Sequence, residues 1–319
     1  MAEIICMGNL VANVIARTVD RLPQRDELVL VDETKLLCGG NHASVATVLG
    51  RFGIDVGVIG RIGADGFGQF LTTFLESCGV DNSGVIVDDS TDTSVTIAPT
   101  RKDGEKGFLH SMGANANLCE TDIDWNSPLF QAARFFHLGS LFVLPSLDGQ
   151  PAARVLEMAR SRGLITSVDL VWDATGQWMK LLEPCLPFID YLFPNYAEAQ
   201  ALTGRTELQD IADLLLDRGV RVVAIKMGAN GCYLKTTDHE LHLPTFNVQA
   251  LDTTAAGDAF EAGFLTGLIR GWDLERTTHF ANGVGAYSVT QVGEILGTAT
   301  TDEILDFMKN TEMRKRAYR

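Results

Sequence analysis

The chain has 319 residues, 46% hydrophobic and 21% charged, with a formal net charge of -15; this is globular composition with enough apolar content for a large core. A surface that acidic repels phosphate backbones and anionic lipid, so nucleic acid and membrane surfaces are not expected as partners, although a nucleotide in one locally positive pocket is compatible with it. No apolar run is long enough to span a bilayer, the start lacks the basic region of a secretory signal, and the six cysteines stand singly, which together reads as a cytoplasmic protein with reduced thiols.

In chain order, an apolar run over 4–7 predicts a first strand. Residues 28–37 alternate charged and apolar side chains in the manner of a half-exposed strand. A helix follows over 42–52, with Val45, Val48, Leu49 and Phe52 on one stripe and Asn41 placed to cap it. A strand over 56–59 precedes a helix over 67–77. Residues 93–98 and 107–110, on either side of a turn at Lys102-Asp103-Gly104-Glu105, read as a hairpin. Next come a strand over 135–138, a helix over 151–162 with Pro151 in its first turn, and strands over 165–169 and 191–193. Helices over 197–202 and 208–218, a strand over 222–225 and helices over 257–270 and 274–291 complete the series.

Most of these strands are nearly continuous apolar runs, as expected where both faces are covered. Strand–helix alternation argues for an α/β fold with an open, mostly parallel sheet and helices on both sides. No repeat or linker interrupts it, so one domain is expected over 1–319, with a small β lid contributed by 28–37 and 93–110. The lid's exposed strand edges favour pairing with a second copy, a homodimer.

The strongest chemical signal is Asp252-Thr253-Thr254-Ala255-Ala256-Gly257-Asp258-Ala259-Phe260, running into a helix. Small residues before a helix let a ligand approach the backbone, and the helix start offers unpaired N–H groups and a positive dipole end, which suits phosphate. Spacing alone leaves two readings of Asp258 open. One is an acidic residue favoured by the helix dipole; the other is a base that takes a proton from a hydroxyl while a phosphoryl group arrives, with the amides of Ala255 to Asp258 holding transition-state charge.

This segment resembles the C-terminal signature of the ribokinase-like (PfkB-type) carbohydrate kinases. The N-terminal signature is similar too, as Gly39-Gly40-Asn41-His42-Ala43-Ser44, and so are the segment from His110 to Leu118, Pro194-Asn195-Tyr196-Ala197-Glu198, and Lys226-Met227-Gly228-Ala229-Asn230-Gly231. The resemblance covers essentially the whole chain in the family's order. It implies a three-layer α/β/α fold with a small β lid, and an ATP-dependent kinase acting on a hydroxyl of a sugar or sugar derivative.

By the same resemblance Asp258 is the base, and Ala255, Ala256 and Gly257 form the anion hole. Asn195, Glu198, Lys226, Gly228, Gly231 and Asn282 face the nucleotide, with Glu198 near Mg2+ through water. Asn13, Gly39, Gly40, Asn41, Ser44, Asp252 and Asp258 face the substrate. A monovalent cation, potassium, is implied at Asp252, Thr254, Val289, Val292 and Gly293.

Departures fall on the sugar side. Asn13 stands where most relatives have Asp, Val11 and Ser44 where ribokinases have Asn, and Ala255 where Gly is usual. Catalytic groups are kept while sugar-gripping groups change, which argues against ribose. The stretch from Asp169 to Asp173 lacks the arginine of keto-deoxy-sugar-acid kinases, so Arg101, Lys102 or His110 would have to supply positive charge for an acidic substrate. Trp172 suits either stacking on a sugar or packing. The alternatives are a nucleoside kinase of the same fold, a ligand sensor without catalysis, and, further off, a dinucleotide oxidoreductase, for which the N-terminal fingerprint is missing.

Overall fold

The computed structural model describes residues 1–102, 107–291 and 299–315. The chain runs β1 (Ile4–Met7), β2 (Val11–Arg17), β3 (Glu33–Gly39), α1 (Asn41–Arg51), β4 (Val56–Gly63), α2 (Gly66–Ser77), β5 (Val80–Asp88), β6 (Val95–Thr100) and β7 (Leu109–Ser111). It continues through β8 (Phe135–Leu141), α3 (Gln150–Ser161), β9 (Ile165–Leu170), α4 (Met179–Leu182), β10 (Tyr191–Leu192), α5 (Tyr196–Thr203) and α6 (Leu208–Leu216). Last come β11 (Val222–Lys226), β12 (Cys232–Lys235), β13 (Glu240–Leu243), α7 (Ala256–Ile269), α8 (Leu274–Ser288) and α9 (Thr301–Asn310).

Among the described residues, one sheet has nine strands in the order β13-β12-β11-β10-β9-β8-β1-β4-β5. From β11 to β5 every pairing is parallel, and β12 and β13 close one edge with antiparallel pairings. Side chains alternate across it. Ile5 and Met7 enter a core with α3, α5 and α6, whereas Ile4 and Cys6 enter another with α1, α2 and α7 to α9. This is why the strands read as unbroken apolar runs. The parity also sends His137 of β8, Asp169 of β9 and Lys226 of β11 toward α7, because Phe135, Ser167 and Val222 share their faces.

A second sheet pairs β3-β2-β6-β7. Here the expected lid needs correction. Its strand begins at Glu33 rather than residue 28, and Leu28 and Leu30 are exposed outside any strand. One of its two inner strands is β2, which sequence reading did not assign. β2 follows β1 after three residues and alternates weakly, so it gave no separate signal. It pairs antiparallel with β3 and parallel with β6. The turn proposed at residues 102–105 lies mostly outside the described residues. β5, α4, β12 and α9 were also unassigned.

Candidate active site

The segment before α7 folds through its own side chains. Asp252 Oδ1 accepts from the Thr254 amide at 3.0 Å and the Thr254 hydroxyl at 2.7 Å, closing a turn that delivers the chain to the helix. Ala255 caps α7 in the left-handed region, with φ 58 and ψ 14, a conformation that favours glycine. The helix then begins at Ala256, whose amide reaches back to Thr253 O at 3.3 Å. Of the amides expected to hold charge, that one is therefore partly engaged, and those of Gly257 and Asp258 belong to the first turn, where no intrahelical carbonyl is available.

Two adjoining cavities meet at this turn. The larger, about 490 Å³, is bordered on the small-sheet side by Asn13, Ile15, Leu37, Cys38 and Gly39. Gly40, Asn41, Ser44 and Leu170 border it from the large sheet and α1, and Asn195, Glu198, Lys226 and Gly228 from the opposite side. Asp252, Thr254, Ala255, Ala256, Gly257 and Asp258 form its floor. The smaller, about 310 Å³, shares Lys226, Gly228, Ala256 and Gly257 and extends to Gly231, Phe246, Asn282, Val289 and Arg314. The structure thus gathers every site residue expected from sequence except Val292 and Gly293, which lie outside the described residues.

Asp258 borders the larger cavity. Its carboxyl is pushed up from 3.8 to about 7, first by burial and then by Asp169, against Lys226 and a hydrogen bond donated by the Ser44 hydroxyl. Glu198 is likewise pushed up to about 7 by burial, which Lys226 opposes and Asp169 reinforces. It closes a capping box on α5: its Oε2 accepts from the Asn195 amide at 2.8 Å, and Asn195 Oδ1 accepts from the Glu198 amide at 2.9 Å. Asn195 and Glu198 therefore fix the start of α5, and both residues also border the cavity.

Two expectations change. Asn41 does not cap α1. Gly40 does so without a side-chain bond, and Asn41 is the first helical residue. Its Nδ2 is drawn instead to Asp169 Oδ2 at 2.8 Å. Lys226 is already held by protein carboxylates: Nζ donates to Asp169 Oδ1 at 2.9 Å and to Glu261 Oε1. Burial alone would lower its pKa, but Asp169, Glu261 and Glu198 hold it well above the usual value.

Sequence reading missed Glu261 and gave Asp169 no catalytic weight. Both are fully buried, and the available signal was one acid within an apolar strand and one within an apolar helix. Behind Glu261, His137 Nε2 stands 3.8 Å from Oε2, and His137 Nδ1 contacts Ser167 Oγ at 3.0 Å. Burial pushes this imidazole down to about 4, so it is neutral at pH 7.

Other expected groups line the smaller cavity or stand outside both. Asn282 Nδ2 donates to Leu243 O and Pro244 O, each at 3.2 Å, fixing the wall of the smaller cavity. Val289 O accepts from the Leu251 amide at 2.7 Å. Arg101, Lys102, His110 and Trp172 do not border the larger cavity; Trp172 is 56% exposed and packs edge-on against Trp178. Lys226 is the one cationic side chain among the described residues that border that cavity.

Comparison with known proteins adds independent findings. The profile described as pfkB family carbohydrate kinase matches residues 1–301. Fructokinase-1 of Oryza sativa subsp. japonica is 28% identical over 85% of this chain and 88% of its own length. Probable fructokinase-2 of Arabidopsis thaliana is 27% identical, covering 91% of this chain and 93% of its own. Among solved structures, ribokinase from Thermotoga maritima superposes with TM-score 0.82 at 28% identity, over 97% of this chain and 100% of that one. Arabidopsis thaliana ribokinase complexed with ribose and ATP gives TM-score 0.84 at 23% identity, over 97% and 99%.

Proposed function

The chain belongs to the pfkB family of carbohydrate kinases and is an ATP-dependent sugar kinase, and from that premise we propose that Asp258 is the base that activates the sugar hydroxyl at the junction of the two cavities. The observation that carries this reading is the place of Asp258: at the start of α7, bordering the larger cavity, beside the backbone of Gly257 shared by both. ATP occupies the smaller cavity with its phosphates directed at the α7 turn, and the sugar occupies the larger one. The hydroxyl oxygen bonds to the γ-phosphorus, the bond from phosphorus to the bridging β–γ oxygen breaks, ADP leaves, and the hydroxyl proton passes to Asp258. Amides of Gly257 and Asp258 face the charge that develops on the phosphoryl oxygens.

Magnesium fits the same place. Asp169, Glu198, Asp258 and Glu261 outnumber the single ammonium of Lys226, and an ion that arrives hydrated on the nucleotide needs few protein ligands. Glu198 would hold it through water, and the ion supplies charge neutralisation to the phosphates when bound. Potassium activation is part of the proposal through Asp252 and Thr254, and exchanging potassium for sodium tests it.

The substrate is proposed to be a neutral sugar, fructose first. Lys226 is committed to two carboxylates, and relatives of this chain are named fructokinases. Pairing of two copies through the small sheet, where Leu36, Ile97 and Leu109 are exposed, and a cytoplasmic location complete the reading; no helix among the described residues is long and apolar enough to cross a membrane.

The test is a coupled ADP-release screen with Mg-ATP over neutral sugars, sugar acids, polyols and nucleosides, with Asp258→Asn run beside the native protein. A neutral sugar is expected to give turnover that falls about 10²–10⁴-fold in the variant. Near-normal turnover in Asp258→Asn removes the base assignment. A nucleoside as the one acceptor moves the chain to the nucleoside kinases, and tight sugar binding without transfer favours a sensor.

A further inference from the structure

Glu261 has no part in the reaction as drawn above, yet an acid buried completely in an apolar helix requires a partner. It sits one turn beyond Asp258 on α7, and its Oε1 accepts from Lys226 Nζ. Asp169 approaches the same ammonium from β9 at 2.9 Å, and its other oxygen is fixed by Asn41 at 2.8 Å. An ammonium has three N–H donors, so these two carboxylates take two of them and fix its direction. The held Nζ lies directly against the catalytic turn: a Cβ placed on Gly257 would stand 3.3 Å from it. Lys226 also borders both cavities.

We propose that Glu261 is a positioning residue for phosphoryl transfer: with Asp169 it suspends the Lys226 ammonium at the junction of the two cavities, against Gly257, where the cation faces both Asp258 and the phosphoryl group in transit. The proposal rests on the kinase reading of Asp258. A lysine free to move would pair with carboxylates or phosphates indiscriminately. Anchored on two sides, it presents its remaining donor in one direction, which is where preorganised charge acts on a transition state.

The surroundings fix the sign of a test. Asp258 is faced by Asp169 from β9, Lys226 from β11, Glu198 from α5 and the Ser44 hydroxyl from α1. Glu261 is faced by Asp169, Lys226, Asp258 and His137, and it in turn acts on the Cys6 thiol of β1. The Glu261 carboxyl is itself held well above the usual carboxylate range, first by burial and then by Asp169, against Lys226, so its replacement is read on turnover rather than on the pH of the base. Removing the charge of Lys226 takes away a cation and raises the pH at which Asp258 ionises.

The experiment measures pH–rate profiles of the native chain, Glu261→Gln, Lys226→Met and the double variant with Mg-ATP and fructose, and in parallel the slow ATP hydrolysis with water as acceptor. Glu261→Gln is expected to lower kcat about 10- to 100-fold and to change the KM for ATP less than about threefold. Lys226→Met moves the acid limb to higher pH, and in its background the second substitution changes kcat less than about twofold, because Glu261 acts through Lys226. Activity lost in step with thermal stability overturns the proposal, as do effects that multiply. Should Lys226→Met not fold, the split in Glu261→Gln decides alone: a fall confined to kcat supports the proposal, and an unchanged kcat or a KM that rises in step overturns it. Turnover retained in Asp258→Asn overturns the base assignment and this proposal with it, whereas its loss with kcat unchanged in Glu261→Gln overturns this proposal alone.

Discussion

Replacing Asp258 by Asn is expected to stabilise the folded protein at alkaline pH while lowering turnover about 10²–10⁴-fold. Burial and Asp169 raise this carboxyl from 3.8 to about 7, so the folded state binds its proton more tightly than the unfolded chain does. Below about pH 4 both states are protonated and the group is neutral for stability. Between about pH 4 and 7 the unfolded chain releases the proton first, and rising pH costs stability; above about pH 7 the cost is complete. A difference of about 3 pH units corresponds to about 4 kcal/mol, and solvent screening where the carboxyl borders the cavity halves this to about 2 kcal/mol. The Asn side chain is neutral at every pH and still accepts from Ser44. Thermal melts at pH 5 and pH 8 are the assay: the variant gains about 1 °C at pH 5 and about 3 °C at pH 8. A variant whose melting temperature differs from the native protein by the same amount at both pH values refutes the reasoning.

Two further outcomes follow from geometry. Ala255→Gly relieves a left-handed alanine and is expected to stabilise the fold by about 1 kcal/mol, with denaturant midpoint as the measurement; a loss of stability shows that the methyl group packs productively. Phe264, fully buried against Tyr191, Phe193 and Phe260, is expected to cost about 3–5 kcal/mol on replacement by Ala. That variant should keep the KM for ATP in whatever fraction remains folded at low temperature.

The catalytic turn was legible because its chemistry is local: small residues, an acid and a helix start lie within a few positions of one another. The parallel strands were legible because coverage on both faces leaves them apolar throughout. Lys226 was seen but its commitment was not, since its partners lie 57 and 35 residues away along the chain. No periodicity links such positions; only the parity of β9 and β11 against α7 does. Asn41 carried a misleading signal for the same reason. A residue type that caps helices was recruited by a carboxylate 128 residues distant, and Gly40, with φ 100, took the cap. β2 went unread because it adjoins β1, and its inner place in the small sheet is set by β3 and β6 rather than by its own pattern.

The small sheet meets the rest of the protein at one end: β6 begins at Val95 opposite Ala12 and β7 ends at Ser111 opposite Val95, beside two shorter roots. β2 leaves β1 across Gly8, Asn9 and Leu10, and β3 enters α1 through Gly40 alone, where a Cβ would lie 2.0 Å from Asn9 O. Asn13 and Cys38 sit next to those roots, while Arg17 pairs with Glu33 at the far end. In any rotation about this pivot, displacement grows with distance from it, so the far end sweeps widely while Asn13 and Cys38, which border the larger cavity, barely travel. The outer half of the sheet is thereby mechanically uncoupled from the cavity: it can be re-engineered without redrawing the cavity wall at its rooted end.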